Sequence, residues 1–115
     1  MHELSIATSI LEAVRKERRR LNDARITKVG VRIGELAGVD PEALNFSFEI
    51  LVKGTDLEPL ALDIEFLPRR HTCSECRHEF TVADYQFDCP ACGSQATRCI
   101  GGDELELSYL EVEEA

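Results

Sequence analysis

The chain has 115 residues, a formal net charge of −9, and a composition that is 43% hydrophobic and 30% charged, which is typical of one small globular domain or of such a domain with a smaller module. This balance excludes a low-complexity chain, and the net negative charge argues against nucleic-acid binding because it repels the phosphate backbone. No apolar run long enough for a membrane span and no secretory signal is visible, so we expect a cytoplasmic protein whose thiols stay reduced.

The N-terminal third of the sequence predicts one helix and one strand. Apolar residues at three- and four-residue spacing over about 3–21 predict an amphipathic helix. Its last turns, Arg15–Arg20, carry five basic residues, which interact favourably with the helix dipole at that end. Val29, Val31 and Ile33 then alternate with polar residues or glycine, and this alternation predicts a half-buried strand over 25–33.

The middle of the chain predicts a second helix and a second strand. Asp40 is a favourable N-cap residue, Pro41 suits the first helical position and Gly54 can end a helix, so we expect a helix over about 41–53. The alternating segment 60–67 predicts a strand that Pro68 terminates.

A late strand is predicted over 105–112, where apolar and polar residues alternate again. The alternation changes phase between Ser108 and Leu110, which indicates a β-bulge. The simplest arrangement places this strand beside the other two. We therefore predict an α+β fold in which a small three-stranded sheet is covered by two helices. Residues 1–68 and 98–115 would form this domain, with 69–97 inserted as a zinc-ribbon-like hairpin module.

The inserted segment has the spacing of a metal site. Cys73 and Cys76 form one C-x2-C pair, and Cys89 and Cys92 form a second pair that Gly93 follows. Two residues between cysteines allow one tight turn to present both sulfurs to the same ion. Four thiolates leave no open coordination position, so we predict a structural Zn(II) site without which the segment would hardly fold.

Iron in a rubredoxin-like site is the competing interpretation, because the sequence does not select the metal. Cys99 lies outside the ligand spacing and is expected to be a small buried residue. His71 and His78 flank the first cysteine pair. They could hydrogen-bond to the ligand sulfurs or respond to pH, and solvated loop histidines are the other interpretation.

Three stretches together resemble one known family: MHELS at residue 1, VGVRIGELAGVDPEAL in the middle, and the two late C-x2-C pairs. They resemble the HypA/HybF family of nickel metallochaperones, which act in the maturation of nickel–iron hydrogenase, and the resemblance covers essentially the whole chain. It implies a nickel-binding α/β domain, an inserted zinc domain, and transfer of Ni(II) with a HypB-type GTPase to the hydrogenase large subunit. It also implies an acidic residue near the nickel at Asp40, which the residues alone identify equally well as a helix N-cap.

The first residues have nickel-binding chemistry of their own. A large residue such as His2 is expected to prevent removal of Met1, which leaves an α-amine one residue from an imidazole. The amine, the deprotonated His2 amide and the His2 ring can chelate one ion in the nitrogen-rich, square-planar arrangement that suits Ni(II) or Cu(II). The fourth donor stays open, because the Glu3 amide is next along the chain and the Glu3 side chain can instead orient the site. We predict a nickel site made by Met1, His2, Glu3 and Asp40.

The sequence contains no Ser/His/Asp set and no glycine loop that would bind phosphate, so we do not expect an enzyme. A metal site on a chain terminus suits delivery, which needs accessible and exchangeable ligands. Two alternatives come from other functional classes: a zinc-ribbon interaction module without nickel, and a small rubredoxin-like electron-transfer protein. The short tethers of the inserted module would also allow two copies to exchange it in a homodimer.

Overall fold

The computed structural model describes residues 2–113. In chain order the elements are α1 (Glu3–Arg20), β1 (Ile26–Gly34), a short 3-10 turn (Glu35–Ala37), α2 (Pro41–Val52), β2 (Ala61–Leu67), β3 (Arg70–Cys73), β4 (Glu79–Thr81), β5 (Thr97–Gly101) and β6 (Leu105–Val112). No helix in this part of the chain is long and apolar enough to cross a membrane.

The first sheet has the strand order β2-β1-β6. Strand β1 runs parallel to β2, and α2 makes the crossover that a parallel pair requires. Strand β6 returns antiparallel to β1 from the far end of the chain. The predicted α+β fold with a three-stranded sheet and two helices is therefore confirmed.

The predicted bulge lies at Ser108. Gly30 pairs with Tyr109 and Val31 pairs with Leu107, so Ser108 is the extra residue of β6. A bulge of this kind bends its strand and increases the local twist. It also returns Leu110, which packs against the core, to the same face of the sheet as Leu107.

One hydrophobic core lies between the two helices and the first sheet. Val14 of α1, Leu44 and Phe48 of α2, and Val29 and Ile33 of β1 are each at most 1% exposed. These residues occupy the apolar positions that the helical and strand periodicities predict. Burial of this one face explains why α1 and α2 lie on the same side of the sheet.

The second sheet is inserted between β2 and β6 and has the order β4-β3-β5, with both pairings antiparallel. Its residues take no part in the core cluster. Strand β5 continues to Gly101, past the boundary at 97 that the sequence suggests. The division of the chain into two domains stays a proposal.

Candidate metal sites

The sulfur atoms of Cys73, Cys76, Cys89 and Cys92 all lie within 4.8 Å of one another. The Sγ atoms of Cys73 and Cys92 are 3.6 Å apart, and those of Cys76 and Cys89 are 3.5 Å apart. Four thiolates bound to one metal at about 2.3 Å in a tetrahedron would have their sulfurs about 3.8 Å apart. The structure therefore brings the four predicted zinc ligands together at a spacing that fits one tetrahedral ion.

Two similar turns present the sulfurs. In the first turn the amide of Arg77 donates to the carbonyl of Cys73 at 3.0 Å, and in the second the amide of Gly93 donates to the carbonyl of Cys89 at 2.8 Å. Arg77 and Gly93 have φ angles of 66° and 77°. Glycine adopts this conformation without a steric cost, whereas arginine is strained there. The repeated turn is the local reason why each C-x2-C pair aims both thiols the same way.

Backbone amides and neighbouring sulfurs set the protonation of these thiols. The amide of Cys76 is the main reason why the pKa of Cys73 falls to about 6, with a second contribution from the amide of Glu75. The amide of Ser94 lowers the pKa of Cys92. The adjacent sulfurs, that of Cys73 first, raise this pKa by a larger amount, so that it reaches about 12. Four thiols this close do not all ionise by themselves. A bound cation would favour the four-thiolate state.

His71 is buried. Among the described residues, its ring forms no hydrogen bond to a cysteine sulfur. Its Nε2 accepts from the Nε atom of Arg69 at 2.9 Å, so Nδ1 carries the ring proton and donates to Thr97 Oγ1 at 3.1 Å. Burial, and then the charge of Arg69, lowers the pKa of His71. The neutral ring therefore fastens β3 to β5, which is a structural role that the sequence left undecided.

His78 and Cys99 are both exposed. The ring of His78 stacks on Phe80, with the two ring centroids 6.2 Å apart. The prediction that Cys99 is buried is wrong: its sulfur lies at the surface and donates to the carbonyl of Gly101 at 3.3 Å. The physical reason is that, in the part of the chain that the structure describes, neither helix makes substantial contact with the second sheet, so no helix layer covers Cys99.

The N-terminal end of α1 lies against the start of α2. His2 is the N-cap residue of α1, has an extended backbone, and makes no side-chain hydrogen bond to the helix. Glu3 begins the helix, and its Oε2 accepts a hydrogen bond from the amide of Asp40 at 3.3 Å. Three of the four residues predicted to form the nickel site therefore lie in two adjoining helix starts. Met1, the fourth, lies outside the described residues.

Asp40 is the N-cap of α2, as its position before Pro41 predicts. Its Oδ1 accepts from the amide of Glu42 at 3.0 Å and from that of Ala43 at 3.4 Å. Both amides use the same oxygen, and the residue is exposed. The cap and an approach of the other carboxylate oxygen to a ligand are therefore compatible.

Within residues 2–113, the four cysteines are the one group of three or more His, Cys, Asp or Glu side chains whose donor atoms lie together. The side chains of His2, Glu3 and Asp40 are not gathered in this way. A nickel ion bound there would be coordinated mainly by main-chain nitrogens, as the N-terminal residues also predict. The contact between Glu3 and the Asp40 amide has no sequence signal, because it joins residues 37 positions apart.

Comparison with known proteins points to one family. Residues 1–112 match the family model described as "HypA: Hydrogenase/urease nickel incorporation, metallochaperone, hypA". The hydrogenase maturation factor HypA of Geobacter metallireducens is 42% identical over 113 residues, which cover 98% of this chain and 100% of that protein. The hydrogenase maturation factor HypA of Acidithiobacillus ferrooxidans is 38% identical over the same shares.

Solved structures agree in fold. The solution structure of the Ni metallochaperone HypA from Helicobacter pylori is similar with a TM-score of 0.63 and 27% identity, over 97% of each chain. A second solution structure, of a HypA protein, has a TM-score of 0.69 and 27% identity, over 98% of this chain and 97% of that one. The four-cysteine cluster, the fold and the match over nearly every residue lead to one conclusion: the chain belongs to the HypA family of nickel-incorporation metallochaperones that act in hydrogenase maturation.

Proposed function

We propose that this chain binds Ni(II) at its N-terminus and delivers it during the maturation of a nickel–iron hydrogenase, while Zn(II) bound by four cysteines holds the second sheet together. The observation that carries the nickel site is the hydrogen bond between Glu3 and the amide of Asp40, because it brings Asp40 to the residues that follow the terminal amine. The family match supports nickel as the metal carried.

The start of α1 suits a chelate made from main-chain nitrogens. The first amides of a helix have no intrahelical carbonyl to bind, so the amides of His2 and Glu3 are available to a metal. The His2 ring is exposed and makes no cap to the helix. The amine of Met1 would complete the same set of fused rings. Asp40 would approach with the carboxylate oxygen that the α2 cap does not use.

The exposure of this site favours delivery over retention. His2 and Asp40 are both exposed, so an acceptor can reach the metal without unfolding of the core. The cysteine site differs in its coordination: Cys73 and Cys89 are buried while Cys76 and Cys92 are exposed, but four thiolates leave no position for an incoming ligand. We assign the two sites to different tasks, transport for nickel and structure for zinc.

The proposed zinc site is supported by the small apolar interior of the inserted segment. In the connection between β4 and β5, Val82 is buried, but Tyr85 and Phe87 are 90% and 37% exposed. So small an apolar interior stabilises little by itself. A metal bound by four thiolates would supply the missing stability.

The partners proposed for this function are a HypB-type GTPase and the hydrogenase large subunit. The family description, which names nickel incorporation for hydrogenase and urease, supports such exchange with other proteins. A homodimer made by exchange of the inserted module is a further proposal. Catalysis has no part in this function, which requires binding and release of an ion.

Metal analysis of the untagged chain, before and after one equivalent of Ni(II), tests the proposal. We expect one zinc per chain throughout and one nickel after addition. His2→Ala should lose nickel and keep zinc, whereas His78→Ala, a change at another exposed histidine, should keep nickel. Nickel binding by His2→Ala at the unchanged affinity would contradict the proposed site.

A further inference from the structure

The third strand of the first sheet lacks the cover that the other two strands have. Helices α1 and α2 pack on each other and on β1 and β2 respectively. On β6, Leu105, Leu107 and Val112 point to the same face as the core residues of β1 but remain 43%, 38% and 37% exposed. Two helices are too narrow to cover three strands, so an apolar row is left open at the edge.

Leu105 and Leu107 of this row form one wall of a groove of about 480 Å³ between α1 and β6. The opposite wall is the face of α1 that carries Ile6 and Ile10, and the floor is Ile33 of β1. His2 lies at the same groove. An apolar groove of this kind can bury alternate side chains of an extended segment.

The backbone of β6 also offers hydrogen bonds. Strand β6 is at one end of the sheet order, and no strand within residues 2–113 pairs with its outer edge. The edge runs over eight residues, Leu105–Val112. Unpaired N–H and C=O groups along such an edge can accept another strand. The groove and the edge therefore lie side by side and can be occupied by the same segment.

The face of the sheet that points away from the helices determines which charge a segment bound at the β6 edge should carry. On this face β2 carries acids, β1 carries bases and β6 carries acids again. Arg32 contacts Glu65 of β2 at 3.7 Å and Glu106 of β6 at 3.2 Å, and Lys28 contacts Glu111 of β6 at 3.8 Å. The side chains of Glu106 and Glu111 remain 52% and 58% exposed. They can each take a second basic partner from a strand added at the edge.

A second copy of this chain is a poor occupant. Pairing of β6 with β6 of another copy in antiparallel register would place Glu106 opposite Glu111, or Glu106 opposite Glu113. Like charges directly opposite each other destabilise a strand pair. The acids therefore protect the edge from self-association and favour a strand of the opposite sign.

We infer that the β6 edge and the adjoining groove bind an extended segment of a partner protein in which apolar residues alternate with lysine or arginine. The apolar residues enter the groove beside Leu105 and Leu107, and the basic residues meet Glu106 and Glu111 on the other face. The docking itself does not depend on nickel. Its place next to His2 would put the partner beside the transported ion, and that consequence alone rests on the proposed function.

The test uses two blocked eight-residue peptides, one alternating valine with lysine and one alternating valine with glutamate. Each is titrated by fluorescence anisotropy into the full chain loaded with zinc and free of nickel. We expect the lysine peptide to bind and the glutamate peptide to bind at least about tenfold more weakly, because several cross-strand charge pairs are exchanged. Equal affinity for both peptides, or binding of neither, would overturn the inference.

Two matched variants locate the binding. Leu105 and Phe66 both pair with Ile33, from opposite edges of the sheet, and they are 43% and 49% exposed. Leu105→Lys should abolish binding of the lysine peptide, whereas Phe66→Lys should leave it unchanged. Equal effects of the two changes would contradict the placement, and a wild-type dimer that Leu105→Lys dissociates in sedimentation would identify a second copy as the occupant instead. If the native chain binds the lysine peptide but does not bind nickel, the proposed function alone is overturned and the docking inference stands.

Discussion

The amide of Asp40 donates a hydrogen bond to Oε2 of Glu3 at 3.3 Å, and this contact joins the first turn of α1 to the N-cap of α2. The carboxylate of Glu3 therefore has a task within the protein, which is to hold Asp40 beside the N-terminal residues. We propose that the side chain acts on nickel through this positioning and not as a ligand. This distinction leads to the first prediction.

Glu3→Gln should keep most of the nickel affinity, because the amide oxygen of glutamine still accepts from Asp40. Glu3→Ala removes the acceptor and should weaken nickel binding about fivefold, in line with a hydrogen bond worth about 1 kcal/mol. Calorimetric titration with Ni(II) measures both. If the glutamine variant loses as much affinity as the alanine variant, the carboxylate itself is a ligand.

The second prediction concerns the cysteine cluster. Cys76→Ser removes one of four donors from a closed site, so bound zinc should fall well below one equivalent and the second sheet should unfold. The core between the helices and the first sheet should survive, because it shares no residue with the cluster. Zinc analysis with amide exchange measures both effects. Cys99→Ser is the control, since Cys99 is exposed and outside the cluster; one zinc held by Cys76→Ser would refute the four-thiolate site.

The third prediction concerns the pH dependence of stability at the end of α1. Asp56 contacts Arg15 at 3.0 Å and Arg18 at 2.7 Å. The hydrogen bond from Arg15, and then that from Arg18, lowers the pKa of Asp56. A lowered pKa in the folded state gives stability that is complete above the pKa of the unfolded chain and is lost as the pH falls through the folded value.

Asp56→Asn should therefore reduce the free energy of unfolding at pH 7, and the difference from the native chain should disappear near pH 2. Urea denaturation at the two pH values measures this. Glu49→Gln is the control, because Glu49 is an exposed acid of α2 that forms no ion pair within residues 2–113. A difference for Asp56→Asn that persists in acid would mean that the charge is not its cause.

The fourth prediction concerns Gly30, which is buried in the central strand. The hydroxyl of Tyr109 on β6 reaches Asp63 on β2, and a Cβ atom at Gly30 would lie only 2.0 Å from Cε1 of the Tyr109 ring. The ring therefore crosses the central strand where glycine leaves room. The hydrogen bond to Asp63 is the main reason why the pKa of Tyr109 rises to about 12.

Gly30→Ala should lower the free energy of unfolding by about 1–3 kcal/mol, because an added methyl group displaces the ring. In the background of Tyr109→Ala the same change should cost much less, since the obstacle is gone. Thermal denaturation of the four proteins in this cycle measures the coupling. Additive losses would show that the ring does not determine the cost.

The periodicity of the sequence was sufficient for the helices and the three strands of the first sheet, but not for the order and direction of those strands. Alternation reports burial on one side of a strand, and the N-cap signal at Asp40 and the phase change at Ser108 are local, so each predicted the right element. Contacts between distant segments leave no such trace. The tyrosine that covers Gly30, the capping of the Asp40 amide and the uncovered face of β6 all depend on pairings across the fold.

In the cysteine region, the clustering of the four thiols was predictable from the sequence and their surroundings were not. The C-x2-C spacing is a local constraint and named four sulfurs that the fold brings together. The burial of His71 and the exposure of Cys99 depend on the pairing of β3 with β5 and, among residues 2–113, on the fact that neither helix packs on that sheet. The histidine is therefore buried, with the rings of Phe80 and Phe87 against it and a hydrogen bond to Thr97, and the cysteine is exposed; neither outcome follows from the local spacing.

The fifth prediction tests the α-amine, on which the proposed nickel site most directly depends. Addition of Gly-Ser before Met1 leaves every side chain of the chain in place but converts the amine into an ordinary peptide nitrogen. Calorimetric titration of the extended, zinc-loaded protein with Ni(II) should show nearly the same loss of affinity as His2→Ala, with unchanged zinc content and helix signal. Nickel binding by the extended protein as tight as that of the native chain would contradict a chelate that begins at the N-terminus.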